Sequence, residues 1–143
     1  MGEHEQYVTE RFIEIIRQLA ADAIEQVKSE LPGCITCDLI DDFGSWYEDY
    51  IEIINSKLSD KQIKILREID CVFDEILKED TFKCLYIYSE EEIEQSNYKV
   101  ILESVNWRTI RSLANDLLIT MGEKNKKLQQ YIQISDNFWR KTE

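Results

Sequence analysis

Four cysteines are the residues most able to do chemistry in this chain. Cys34-Ile-Thr-Cys37 has the Cys-x-x-Cys spacing of metal knuckles and thiol–disulfide centres, and Cys71 and Cys84 bring the thiols to the number a tetrahedral zinc site takes. A strong zinc pattern would show a second close pair, whereas Cys71 and Cys84 are far apart in sequence. Cys71 also falls on the apolar stripe of a helical pattern. The four are therefore read as buried, structural thiols kept reduced, and no metal is expected. A thioredoxin-type role lacks its strand–turn–helix context. His4 is the only histidine, near the start of the chain, which removes Ser-His-Asp and Cys-His nucleophile systems and most zinc and di-iron sites.

Carboxylates are the other candidates. Helical nucleotide pyrophosphohydrolases hold magnesium with a Glu-x-x-Glu pair on one helix and a Glu-x-x-Asp pair on the next. Glu91 and Glu94 supply one such pair, no matching pair follows, and Asp41-Asp42 lacks the third acid of an Asp-Asp-x-x-Asp motif. There is no Gly-rich phosphate loop, no Gly-x-Ser-x-Gly and no basic cleft. No catalytic residue and no cofactor is expected, and a magnesium-dependent nucleotide hydrolase stays as the enzymatic alternative.

The 143 residues carry 29 acidic and 17 basic side chains, a net charge of −12. Such a surface repels phosphate backbones and anionic lipid, so nucleic acid and membrane are excluded as direct partners. Residues 1–122 hold 26 of the acids and 12 of the bases, while Lys124, Lys126, Lys127, Arg140 and Lys141 make the tail mildly basic. The Lys124–Lys127 cluster reads as a solvated helix face. The densest acidic stretch runs from Asp38 through Asp41, Asp42, Glu48 and Asp49 to Glu52 without a Lys or Arg, interleaved with Phe43, Trp46, Tyr47 and Tyr50. On a helix, Trp46 and Tyr47 diverge by about 100°, so the aromatics cannot all enter one core. At least one is expected at the surface beside the acids, as in a hot spot for a basic partner.

The elements that position these residues are helical. A chain of this length buries enough surface to fold on its own core, and one proline and four glycines leave little punctuation for β-structure. Apolar residues at three- and four-residue spacing predict helices over residues 6–31, ended by Pro32-Gly33, and 45–57, opened by a capping box at Ser45 and Glu48. A third helix follows the capping box at Ser59 and Gln62 and carries Ile63, Leu66, Ile69, Val72, Phe73, Ile76 and Leu77 on one face, broken by Asp80-Thr81. Ser89 and Glu92 form another capping box and open a helix to about residue 104. Asn106 is expected to cap the next, with Trp107, Ile110, Leu113, Ala114, Leu117, Leu118 and Met121 on one face and Gly122 ending it. Leu128, Tyr131, Ile132, Phe138 and Trp139 suggest a last helix. Residues 82–88 alternate and are strand-compatible; if they pair, residues 35–40 are the partner, although helix or coil is preferred for both. The expectation is all-α: one compact domain, 1–143, of about six helices. With no apolar leader and no bilayer-length apolar run, a cytoplasmic location is expected.

Two stretches resemble a known class. Residues 41–50, Asp-Asp-Phe-Gly-Ser-Trp-Tyr-Glu-Asp-Tyr, are similar in character to the acidic, Tyr-rich helical patch by which colicin-type immunity proteins grip their nucleases. Residues 106–114 resemble the Trp-x-x-Ile-Arg-x-Leu-Ala helix of several immunity families, where it is structural. Together they cover about an eighth of the chain, which is longer than the colicin-type proteins, so their four-helix topology is not implied. The resemblance implies an immunity protein of a bacterial contact-dependent or polymorphic toxin system, binding one cognate basic toxin through Asp41, Asp42, Trp46, Tyr47, Glu48, Asp49 and Tyr50. The runner-up is a phage-type acidic inhibitor of a nucleic-acid-binding host protein.

Overall fold

The computed structural model describes residues 2–30, 32–79, 84–123, 128, 130–135 and 138–142. The expected break at Asp80-Thr81, Phe82 and the Lys124, Lys126 and Lys127 cluster lie outside them. Among the described residues the fold is mostly α, with eight helices and two short antiparallel ribbons. No helix there is long and apolar enough to cross a membrane.

The first predicted helix is two, α1 (Glu3–Ala20) and α2 (Ala23–Lys28). The break needs no glycine or proline, because Arg111 donates from Nε to the Ala21 carbonyl at 2.8 Å and from an Nη to Gln26 Oε1 at 3.1 Å and the Leu102 carbonyl at 2.8 Å. Gly33 then takes φ +141°, a value that favours glycine.

Gly33–Cys34 is strand β1, and α3 (Ile35–Asp49) begins at once. Its N-cap is Cys34, whose Sγ accepts the Cys37 N–H at 3.3 Å. The expected ribbon partner 35–40 is therefore helical; β2 (Tyr86–Ile87) pairs instead with β1, Gly33 opposite Ile87 and Cys34 opposite Tyr86. Ser45 lies inside α3 and caps nothing, since the helix is already nearly three turns old there. The stripe breaks at Tyr50, and α4 (Ile51–Ser56) continues it.

The strongest amphipathic pattern, α5 (Asp60–Lys78), forms as predicted. Its capping box is complete: Ser59 Oγ accepts from Gln62 N–H at 3.2 Å and Gln62 Oε1 accepts from Ser59 N–H at 2.9 Å. Such a cap contributes about 1 kcal/mol. Ser89 caps α6 (Glu90–Gln95), but Glu92 takes the Tyr88 N–H at 3.0 Å, and the predicted helix divides into α6 and α7 (Tyr98–Leu102). The last long helix, α8 (Val105–Met121), has Ser104 at its N-cap position, two residues earlier than expected, and Asn106 donates its side-chain amide to Glu79 instead of capping. Gly122 ends it at φ +71°. The final element is a hairpin, β3 (Tyr131–Ser135) and β4 (Phe138–Lys141), where a helix was expected. Tyr-Ile-Gln-Ile and Phe-Trp-Arg alternate at the strand period, and this β-branched and aromatic composition outweighs the looser helical spacing.

Helix α8 packs against both α1 and α5, and α3 packs on α1. Large rings join the layers: Phe12 to Phe43 at 6.5 Å, Phe43 to Tyr47 at 5.3 Å, Phe43 to Phe73 at 5.2 Å and Phe73 to Trp107 at 5.8 Å. Burying each ring contributes about 2–3 kcal/mol. Trp107, Ile110 and Ala114 are buried, so the Trp-Arg stretch of α8 serves the core, with Arg111 tying α1, α2 and α7 together.

Candidate functional site: an acidic groove between α3 and α5

Helix α3 turns Ile35, Leu39, Phe43 and Tyr47 inward, which leaves Asp38, Asp41, Asp42, Glu48 and Asp49 on its outer half. That half has two flanks. On the flank toward α1, Asp42 lies 4.0 Å from Arg11. Glu30 stands beside it and accepts from Gln18 Nε2 at 3.0 Å. Burial, then the charge and hydrogen bond of Asp42 and the charge of Asp38, push the Glu30 carboxyl up to about 8, so it holds its proton against Asp42 at neutral pH. Burial and the charges of Asp42 and Asp41 likewise raise Asp38.

Two of the aromatics gather on the same flank. Trp46 lies 5.9 Å from Tyr7 and 4.9 Å from Tyr50, and Tyr50 lies 5.8 Å from His4. Trp46 and Tyr50 are half-buried on the first turns of α1. Tyr47 is 7% exposed and stacked on Phe43. Of the expected contact residues, Tyr47 is thus a core side chain, and Trp46 and Tyr50 form a satellite cluster on α1. The exposed aromatic expected within residues 46–50 is met only in part: Trp46 and Tyr50 keep some exposure, and Tyr7 and His4 of α1 cover the rest of them. Asp49 is exposed but belongs to neither flank's cluster.

The flank toward α5 differs. A groove of about 270 Å³ runs between the two helices, lined by Asp41 and Glu48 from α3, Asp70 and Asp74 from α5, and Ile40, Phe43, Phe73 and Leu77 below and beside them. Gly44 and Ser45 complete the α3 wall, and no Lys or Arg is among the described lining residues. None of the four carboxylates joins an ion pair among the described residues. Asp70 is half-buried, and burial, followed by the charges of Asp74 and Glu48, raises its pKa. A Cβ built on Gly44 meets nothing within 4 Å, so the wall there is open. Phe73 resting on Phe43 gives the groove an apolar floor.

The structure therefore keeps Asp41 and Glu48 at one site, moves Asp42 to the opposite flank, gathers Trp46 and Tyr50 against α1, and buries Tyr47 on the α5 side, where Asp70 and Arg67 act on it. Asp70 and Asp74 went unrecognised in the sequence. Their i, i+4 spacing on the polar side of α5 was the available signal, but it is also the signature of an ordinary solvated face.

The cysteines depart from expectation as well. Cys34 and Cys37 are half-buried and joined in a disulfide, Cys71 is exposed on α5 away from its buried face, and Cys84 is exposed with Sγ 3.6 Å from that of Cys37. Comparison with known proteins adds no relative: no family model, no curated protein and no solved structure matches this chain.

Proposed function

We propose that the chain is an inhibitor of the immunity-protein kind, which binds one cognate basic toxin domain and occludes its active site or substrate groove. The observation that carries this reading is the α3–α5 groove: four carboxylates from two helices over an apolar floor, with no Lys or Arg among its described lining residues. Clustered carboxylates without counter-charge raise the local concentration of a cationic partner and speed its encounter. The apolar floor gives the aliphatic stem of a docked Lys or Arg a surface to bury, which adds affinity to steering. The net charge of −12 acts in the same direction over longer range. The buried Trp-Arg helix is in keeping with the structural part such a helix plays in the immunity families that the sequence resembles.

The test pairs the purified chain with the C-terminal domain of the polypeptide encoded by the neighbouring reading frame. Calorimetry is expected to show a one-to-one complex whose affinity falls steeply with salt, and co-expression of the chain is expected to restore growth to cells making that domain. Binding that ignores salt, or growth that stays arrested, would reject the reading.

A further inference from the structure

We propose that Cys34, Cys37 and Cys84, in the reduced chain, form a three-thiolate site for a thiophilic d10 cation, with Zn(II) as the expected occupant. Their three sulfurs lie within 4.8 Å of one another. The Cys37 and Cys84 sulfurs, at 3.6 Å, already stand at the separation set by a shared metal: tetrahedral bonds of about 2.3 Å place two thiolates roughly 3.8 Å apart. Cys34 and Cys37 form a disulfide in the structure, so the site exists only after a thiol or phosphine reductant has opened that bond. Loading then involves no redox change: Zn(II) replaces three thiol protons, three S–H bonds give way to three Zn–S bonds, and the protons pass to buffer.

The three residues belong to one small framework. Cys34 ends β1, Cys37 lies in the first turn of α3, and Cys84 leads into β2. Beyond the β1–β2 pairing, Ile35 N–H donates to the Leu85 carbonyl at 2.8 Å and Leu85 N–H donates to Thr36 Oγ1 at 3.1 Å. Leu85 and Thr36 are buried, so the backbone that carries Cys84 is fixed against the backbone that carries the other two. The Cys37 amide already points at Cys34 Sγ at 3.3 Å, and amide hydrogen bonds to a ligating sulfur support its anionic form. The α3 N-terminus adds a favourable dipole. Cys84 is exposed while Cys34 and Cys37 are half-buried, which gives an ion an entry path and leaves its fourth position to water or an incoming ligand. Cys71 is the one thiol outside the group.

The full chain, reduced with a phosphine and kept anaerobic, is titrated with Co(II) and then with Zn(II). A thiolate-to-cobalt charge-transfer band is expected that saturates at one equivalent and is bleached by Zn(II). Cys84→Ser should weaken Co(II) binding at least tenfold, while Cys71→Ser leaves it unchanged. Zn(II) should also protect Cys34, Cys37 and Cys84, but not Cys71, from alkylation as read by mass spectrometry. Absence of the band in the native chain, a band unaltered by Cys84→Ser, or equal alkylation of all four thiols with and without Zn(II) would each overturn the proposal.

Discussion

The two flanks of α3 carry the same chemistry and end in different states. Toward α1, Glu30 and Asp42 are answered from within: Arg11 stands 4.0 Å from Asp42, Gln18 donates to Glu30, and Glu30 holds a proton. Toward α5, Asp41 and Glu48 face Asp70 and Asp74, and the repulsion is left standing beside an open apolar floor. The difference teaches that acidity alone does not define a binding surface. Neighbouring elements decide which carboxylates have their charge spent inside the chain and which keep it for a partner.

The comparison can be broken or sharpened by substitution. The largest effect is expected from Phe73→Ala, which removes the ring joining Phe43 to Trp107 beneath the groove. It should cost about 3–5 kcal/mol of stability in urea unfolding; Trp46→Ala, on the half-covered α1 flank, should cost less than half as much.

Next comes pH. Glu30 has its folded pKa raised from 4.5 to about 8, so the folded chain binds the extra proton between those values. Its contribution to stability is complete below pH 4.5 and is lost as pH rises through about 8. The raised Asp38 and Asp70 act in the same sense. Glu30→Gln should flatten the decline between these pH values in denaturation curves. A native chain whose stability rises with pH there would contradict the assignment.

Charge reversal should separate the groove from the other acids of α3 in binding. Asp70→Lys with Asp74→Lys should weaken a basic partner at least tenfold, about 1.4 kcal/mol, whereas Asp42→Lys with Asp49→Lys should change affinity by less than threefold. The smallest effect is set by Gly44, a helical glycine with free space at its Cβ. Gly44→Ala should stabilise the fold by about 0.5–1 kcal/mol, measurable in the same urea titrations. Gly44→Trp should block the groove while leaving the α1 flank untouched.

Much of this arrangement was readable in the sequence. Ser59 with Gln62, Gly122, and the apolar faces of α5 and α8 act locally, and local signals survive tertiary packing. What escaped is long-range. The α1–α2 break is enforced by Arg111, ninety positions from Ala21. The start of α3 was hidden because its cap is a cysteine sulfur, outside the usual hydroxyl and carboxylate set. Residues 131–141 satisfied a helical spacing as well as a strand alternation. For the site, Asp41 and Glu48 were legible as acids beside aromatics, but their facing wall on α5 depends on the Phe43–Phe73 contact, which no periodicity encodes.

The central claim is that the α5-facing groove is the grip for a cation-bearing partner. Its most direct measurement is an amide-resolved NMR titration of the ¹⁵N-labelled chain with a synthetic amphipathic helical peptide bearing Lys on one face and Leu on the other. The expected result is saturable shifts at Gly44, Glu48, Asp70, Asp74 and Leu77 that weaken as salt is raised. Shifts centred on Asp42, Trp46 and Tyr50, or spread over the surface without saturation, would contradict it.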